Sequence, residues 1–215
     1  AGLRTQDKYQ PFPEEMNRVL VSRIAGLHFA PTETSARNLR QEGVQQGISV
    51  VGNTVVDAVL AMAQRIDQGS AQVISEVERI IASAKKLLLV TSHRRDNFGK
   101  PLNALCQTLL KLVQSEPDLE IVFPVHLNPN VRDAVHQQLG SQARIHLIEP
   151  VSYPSLVQLI RKSSLIISDS GGIQEEAPSF GTPLIVVRTS SERPEGIAAG
   201  TSLLRTLEEP ELLFA

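Results

Sequence analysis

Short apolar runs alternate with amphipathic segments through most of the chain. Five runs are rich in Ile, Leu and Val, at 87–91, 121–125, 145–148, 165–168 and 184–187. They are continuous rather than alternating, which is typical of strands covered on both faces. Because helical patterns separate them, we predict β-α-β units and a parallel sheet flanked by helices.

Helix signals fill the intervals between these runs. Segments 128–129, 153–154 and 170–172 carry helix-start residues, and Gly140 carries a stop signal. Between the first two strands, apolar residues recur at i, i+3, i+4 and i+7 spacing: Leu102, Leu105, Cys106, Leu109, Leu110 and Val113. Cys106 lies on this apolar stripe, so we interpret it as an inert packing residue.

The first 52 residues contain few elements. We predict a helix up to about residue 25, strands at 27–30 and 48–51, and a helix that Thr32 caps. These are too few for a sheet domain, so we expect the tail of a domain whose beginning is absent. Residues 211–215 end in a helical pattern without a cap. We therefore expect the chain to be a fragment.

Composition narrows the classes of function. The 215 residues are 41% hydrophobic and 20% charged, and 21 Lys and Arg against 23 Asp and Glu give a net charge of −2. This excludes a disordered chain and a basic field over the whole protein that would hold nucleic acid. One cysteine excludes an internal disulfide. No apolar run approaches a membrane span and the start is unlike a signal peptide, so we expect a cytoplasmic protein.

The most informative motif follows the fourth predicted strand. Ser170, Gly171 and Gly172 form a turn that opens a helix. Helix starts present unpaired N–H groups, and glycine lets a phosphate approach the backbone, so the turn suits a diphosphate. Glu176, one turn later, is placed to accept hydrogen bonds from sugar hydroxyls. The alternative is a glycine turn followed by a solvated pair of glutamates.

Basic residues follow two other strands. His93 and Arg94 come directly after the first strand, in a His-Arg-Arg cluster, and His126 follows the second. In open α/β sheets ligands gather at the carboxyl ends of strands, so these residues predict an anionic ligand. The alternatives are a surface turn whose arginines pair with Asp96, and a packed or solvated His126. We assign no function to three other histidines, His28, His136 and His146.

Two further candidates are ambiguous. Arg193, in a Glu-Arg-Pro-Glu loop, could reach a phosphate or could pair within the loop. Glu14 stands at a helix start, where the dipole favours its ionised form, so it could be a catalytic carboxylate or a cap. The chain lacks the P-loop, GxGxxG and Gly-x-Ser-x-Gly patterns and any metal-ligand spacing, which argues against an ATPase, a dinucleotide enzyme, a serine hydrolase and a metal site.

Seven segments together resemble one family. In order, 1–5 with 11–18, 28–35, 51–58, 93–99, 168–178 and 192–195 closely resemble the non-hydrolysing UDP-N-acetylglucosamine 2-epimerases, over essentially the whole chain. The resemblance implies a glycosyltransferase-B-like α/β fold with two Rossmann-like domains. Residues 1–52 would be the C-terminal remnant of the first, incomplete domain. Residues 53–215 would be the UDP-binding domain without its last helix.

The resemblance also implies a reaction and a set of site residues. The family interconverts UDP-N-acetylglucosamine and UDP-N-acetylmannosamine by eliminating UDP and adding it back to 2-acetamidoglucal, with no cofactor. By motif, His93 and Glu14 would be catalytic. Other residues would bind the diphosphate (Ser170, Gly171, Gly172, Arg193), the ribose (Glu176) and the base (Val151, Leu156). Two more would make further contacts, for example with a second, regulatory sugar nucleotide (Arg94, His126).

The chain departs from the family pattern at several points. The family's first motif begins with a catalytic Glu directly before Ala1, and a catalytic Asp lies further upstream, so we expect this chain alone to be inactive. Asp96, Leu127 and Leu156 stand where Glu, Pro and an aromatic residue are common. The alternatives are a hydrolysing epimerase, a glycosyltransferase of the same architecture, and a sugar-nucleotide-binding module. We expect a UDP-sugar ligand, a homodimer for the full-length protein, and no nucleic-acid or membrane partner.

Overall fold

The computed structural model describes residues 1–94 and 98–207. Arg95, Asp96 and Asn97 and the helix predicted at 211–215 lie outside the described residues. The chain forms two compact units, of which the first comprises Ala1–Ala58 and Ser190–Pro194 and the second comprises Val59–Thr189 and the residues from Glu195 onward. The assignment of residues 1–52 and 53–215 to two Rossmann-like domains stays a prediction.

The first unit is built on two short parallel strands. Its elements are α1 (Glu14–Ile24), β1 (His28–Ala30), α2 (Glu33–Gln41) and β2 (Ile48–Val50), and His28 pairs with Ile48. The Thr32 hydroxyl accepts a hydrogen bond from the Ser35 N–H at 3.1 Å, so Thr32 caps α2 as predicted. Helix α3 (Thr54–Asp67) follows and continues into the second unit.

The second unit is a six-stranded parallel sheet with helices between the strands. Its elements are α4 (Ser75–Ser83), β3 (Lys86–Thr91), α5 (Lys100–Ser115), β4 (Leu119–Pro124), α6 (Pro129–Leu139), β5 (Ile145–Ile148), α7 (Tyr153–Lys162), β6 (Leu165–Ser168), α8 (Gly171–Glu176), a 3₁₀ helix (Ala177–Phe180), β7 (Leu184–Val187), α9 (Pro194–Ala198) and β8 (Ser202–Arg205). The strand order is β5-β4-β3-β6-β7-β8, and every pair is parallel. The predicted parallel sheet flanked by helices is confirmed.

Both faces of the sheet are covered, which explains the continuous apolar runs. In β3, Leu88 and Val90 belong to the core cluster that includes the apolar residues of α5 and α6. Leu87 and Leu89 belong to the other cluster, with the apolar residues of α4 and α7. Successive side chains of the strand point to opposite faces of the sheet, and each therefore meets apolar partners.

Three elements were missed by the sequence prediction: α4, α9 and β8. In α4 the buried residues are Val77 and Ile80 alone, so its apolar stripe is too short to stand out. β8 buries only Ser202 and lacks the apolar run that marks the five predicted strands. Within the described ranges, no helix is long and apolar enough to cross a membrane.

The strand order creates a switch point between β3 and β6. From β3 the chain passes through α5 to β4 on one side, whereas from β6 it passes through α8 to β7 on the other. In open α/β sheets the loops that leave two such neighbouring strands diverge, and a crevice forms at their carboxyl ends. This crevice is where the predicted histidine loop and glycine turn both begin.

The burial of Cys106 gives a first testable prediction. Cys106 is fully buried in the α5 stripe, and burial raises the pKa of its thiol to about 11. Because the thiolate is the reactive form, we expect native protein at pH 8 to react with Ellman's reagent at least about tenfold more slowly than protein unfolded in urea. Rapid stoichiometric labelling of the native protein would contradict this packing role.

Candidate functional site

A buried carboxylate lies at the centre of the switch point. Asp169, directly after β6, is fully buried. Its side chain accepts hydrogen bonds from the backbone N–H groups of His93 and Arg94, each at 3.0 Å, and from the Ser92 hydroxyl at 3.2 Å. The His93 Nδ1 lies 2.9 Å from the Asp169 Oδ1. Because a buried carboxylate is costly unless donors surround it, these contacts fix the loop after β3 against the loop after β6.

The ends of the two strands are joined as well. Thr91 pairs with Ser168 in the parallel register, and their hydroxyl oxygens lie 2.6 Å apart. The Ser168 hydroxyl also accepts a hydrogen bond from the Ser170 N–H at 2.9 Å. The histidine loop and the glycine turn therefore leave the sheet side by side, as the sequence predicted.

The contact with Asp169 orients the His93 ring. Its Nδ1 faces the carboxylate, so we assign the Nδ1 proton to that hydrogen bond, and Nε2 is the nitrogen that can exchange a proton with a ligand. The hydrogen bond to Asp169 raises the pKa of His93, while burial and the nearby charges of Arg94 and Arg188 oppose that rise. The half-exposed imidazole is thus held in one orientation beside positive charge.

Arg188 was not among the predicted site residues. It follows β7 directly, and its residue is 7% exposed. Its charge and that of Arg94 both act to lower the pKa of His93, which shows that both guanidinium groups are electrostatic neighbours of the ring. Its position after a buried strand, shared with His93 and Asp169, is the signal that could have identified it. The two arginines make this end of the crevice suited to an anion.

The glycine turn is open to approach. Ser170 stands at the N-cap of α8, and its side chain makes no capping hydrogen bond. Gly172 is exposed, and among the described residues a methyl group added there would have only the Ser170 Oγ within 4 Å, at 3.8 Å. Backbone N–H groups at such a turn can bind the oxygens of a phosphate.

One hydrogen bond links the predicted ribose contact to the segment that carries the predicted base contacts. Glu176 is 8% exposed, and its Oε1 accepts a hydrogen bond from the Tyr153 hydroxyl at 3.0 Å. Val151 and Leu156, which flank Tyr153 in the chain, pack against the same core cluster as Ile173 of α8. Tyr153 was predicted only as a helix start, and no local pattern signals its contact with a residue 23 positions away.

His126 lies at the same edge of the sheet. It follows β4, which neighbours β3, and its side chain is exposed. The ring Nδ1 accepts a hydrogen bond from the Asn128 N–H at 3.2 Å. This contact stays within its own loop, so a role for His126 in binding remains a prediction.

Glu14 and Arg193 belong to the first unit. Glu14 is exposed in the first turn of α1, whereas the neighbouring Glu15 is buried and accepts a hydrogen bond from the Thr5 N–H at 3.0 Å. Arg193 Nη1 donates to Glu192 Oε1 at 2.6 Å, and the same oxygen accepts a hydrogen bond from Arg18 Nη2 at 3.1 Å.

The predicted site residues therefore fall into two groups, of which Glu14 and Arg193 form the one in the first unit. The nine others lie in the second unit: His93, Arg94, His126, Val151, Leu156, Ser170, Gly171, Gly172 and Glu176.

The charged side chains of the site determine which ligands it suits. In the part of the chain that the structure describes, no group of three or more His, Cys, Asp or Glu side chains could hold a metal ion. The side chains that do converge are a carboxylate, an imidazole and two guanidinium groups. These groups bind anions and transfer protons.

Comparisons with known proteins point in one direction. A family model for UDP-N-acetylglucosamine 2-epimerase matches residues 1–214. A UDP-N-acetylglucosamine 2-epimerase of Escherichia coli (strain K12) is 46% identical over 205 residues, which cover 94% of this chain and 54% of that protein. This chain thus spans about half the length of the curated relatives it matches.

Solved structures agree with the sequence comparisons. A Neisseria meningitidis UDP-GlcNAc 2-epimerase bound to UDP-GlcNAc is 41% identical with a TM-score of 0.87, and the match covers 100% of this chain and 59% of that one. The S. aureus MnaA–UDP co-structure is 42% identical with a TM-score of 0.88, over 99% and 57% of the two chains. The predicted glycosyltransferase-B-like class is confirmed by these neighbours. On the family model and these relatives, the chain belongs to the UDP-N-acetylglucosamine 2-epimerase family.

Proposed function

We propose that this chain supplies the UDP-binding part of an enzyme that interconverts UDP-N-acetylglucosamine and UDP-N-acetylmannosamine. The observation that carries the proposal is the junction at Asp169, which brings the His93 loop and the Ser170–Gly172 turn together at the switch point. Two related structures carry UDP-GlcNAc or UDP, which supports a UDP-sugar as the ligand.

The diphosphate would bind between the glycine turn and the arginines. N–H groups of the turn and the charges of Arg94 and Arg188 offset the negative charge of a diphosphate. This matters most when UDP departs from the sugar, because the bond between C1 and the phosphate oxygen breaks and leaves full charge on the diphosphate. A site that stabilises this leaving group lowers the barrier to elimination.

The proposed reaction needs proton transfer on the sugar but no redox partner. A base removes the proton from C2 while UDP leaves C1, which gives 2-acetamidoglucal with UDP still bound. UDP then returns to C1 and a proton is delivered to the opposite face of C2. We assign His93 and Glu14 to this proton transfer, because an oriented imidazole and a carboxylate are the usual acid and base groups.

The non-hydrolysing outcome is part of the proposal, as is the inactivity of residues 1–215 alone. The family pattern places a catalytic Glu directly before Ala1 and a catalytic Asp further upstream. The loss of one acid or base group removes about 10² to 10⁴ in rate, so a chain lacking two should bind substrate without converting it. A homodimer, a cytoplasmic location and the absence of a nucleic-acid partner stay predictions.

The first test of this site is UDP binding by calorimetry. Replacing Glu176 with Gln removes the charged carboxylate that would accept hydrogen bonds from the ribose hydroxyls. We therefore expect affinity for UDP to fall about tenfold. Glu175→Gln is the matched control, because it removes the same charge from the adjacent residue and should change affinity little. Equal affinity in wild type and Glu176→Gln would defeat the assignment of the ribose contact.

The second test follows the protonation of His93 by NMR. We expect Asp169→Asn to lower the pKa of His93, because the hydrogen bond to Asp169 is the main cause of the upward shift. In wild type the raised pKa stabilises the fold fully below about pH 6.5, and this contribution is lost as the pH rises through the folded pKa. In Asp169→Asn this pH-dependent stabilisation should disappear.

The control for this titration is Asp133→Asn, which removes an exposed carboxylate on α6. Its His93 resonance, assigned by its absence from a His93→Asn variant, should titrate as in wild type. A His93 pKa that is the same in wild type and Asp169→Asn would show that the carboxylate does not govern the ring.

The third test examines product formation by NMR. Residues 1–215 incubated with UDP-GlcNAc should yield no UDP-N-acetylmannosamine. The same chain extended upstream through the motifs bearing Glu and Asp should yield UDP-N-acetylmannosamine without free sugar. Free N-acetylmannosamine appearing in step with turnover would favour the hydrolysing alternative, and conversion only in the presence of an acceptor would favour a glycosyltransferase.

A further inference from the structure

We propose that Tyr153 is a positioning residue for ribose recognition: its hydroxyl holds the Glu176 carboxylate in the orientation that accepts the two ribose hydroxyls. The proposal rests on the proposed function, since it presumes that Glu176 binds the ribose of UDP. Nothing in the sequence motifs singled out Tyr153 for such a role, and the structure supplies it through one contact.

The contact joins two elements that come together only in the folded chain. Tyr153 is the first residue of α7, and Glu176 is the last residue of α8. The Tyr153 hydroxyl donates to Glu176 Oε1 at 3.0 Å, which is within the range of O–H···O hydrogen bonds. The contact therefore ties the segment with the predicted base contacts to the segment with the predicted ribose contact.

Hydrogen-bond capacity explains why one donor is useful here. An ionised carboxylate has two oxygens and about four acceptor positions, so one bond from Tyr153 leaves enough capacity for two neighbouring hydroxyls. A glutamate side chain otherwise loses rotamer entropy when it is fixed on binding. With Oε1 already held by Tyr153, much of that ordering is complete before the nucleotide arrives.

The charge state of Glu176 adds a second reason. Burial raises the pKa of Glu176, the negative charge of Glu175 raises it further, and the hydrogen bond from Tyr153 lowers it. A protonated carboxyl would present a donor where the ribose needs an acceptor. Burial and Glu176 raise the pKa of the Tyr153 hydroxyl to about 12, so it stays a donor throughout the neutral range. Tyr153 thus favours the ionised form of its partner.

The experiment is calorimetric titration of the 215-residue chain with UDP and with 2′,3′-dideoxyuridine diphosphate, from pH 5.5 to 8. For Tyr153→Phe we expect UDP affinity to fall about fivefold at pH 8, as for the loss of one hydrogen bond, and further at pH 5.5. The variant should bind the dideoxy nucleotide with wild-type affinity at each pH, because this nucleotide has no ribose hydroxyls to donate hydrogen bonds to Glu176. The added loss at low pH is the readout that a packing role would not produce.

The chain offers a matched control. Tyr9 is the other tyrosine of the sequence, it is 63% exposed, and it lies in the first unit. Tyr9→Phe removes the same hydroxyl group, and it should bind both nucleotides like wild type. Circular dichroism of both variants should superimpose on wild type, because each retains its aromatic ring.

Failure of this proposal differs from failure of the proposed function. If wild type binds neither nucleotide, or if Glu176→Gln binds UDP like wild type, the ribose site itself is wrong and Tyr153 has no such role. If Glu176→Gln weakens UDP binding but Tyr153→Phe does not at any pH, the Tyr153 proposal alone is overturned. A Tyr153→Phe variant that loses affinity equally for both nucleotides also overturns it, since its effect would then not pass through the ribose hydroxyls.

Discussion

The arrangement of the site depends on the burial of one carboxylate. Asp169 has no exposed surface, and a buried carboxylate without donors would cost several kcal/mol. The structure meets this requirement with donors from one short segment, Ser92, His93 and Arg94, about 76 positions earlier in the chain. The need to surround the charge therefore forces two distant loops into contact.

The same carboxylate sets up a balance of charges around His93. Asp169 favours the protonated ring, whereas the charges of Arg94 and Arg188 and partial burial disfavour it, and the net effect raises the pKa. In the proposed function, a diphosphate bound to the arginines would offset their positive charge. By linkage, the protonation of His93 and the binding of the anion would then favour each other. The ring would then carry a proton that it could deliver to the sugar while the diphosphate is bound.

Five of the six strands of the second unit could be predicted from sequence, because each carries an apolar run that is buried on both faces. β5, β6 and β7 occur at the predicted residues. β8 buries only Ser202 and carries no such run, so it could not be predicted, whereas β5, at the other edge of the sheet, does carry one. For the site, the rule that ligands gather at strand ends placed His93 beside Ser170 correctly. It could not reveal Asp169 or Tyr153 as partners, because their hydrogen bonds join residues far apart in the chain. Periodicity likewise cannot distinguish the exposed Glu14 from the buried Glu15.

In the first unit, the guanidinium of Arg193 is paired with Glu192. Such a pair is the internally satisfied loop that the sequence offered as an alternative to phosphate binding. The two roles are compatible, however, because a guanidinium has five N–H donors and one carboxylate does not use them all. Glu192 is itself held by Arg18 from α1 and is 4% exposed, so its position is fixed by packing as well as by charge. A planar guanidinium anchored at one nitrogen loses less freedom when a second anion binds it. Pairing with Glu192 would therefore orient Arg193 for an anion rather than withdraw it from one.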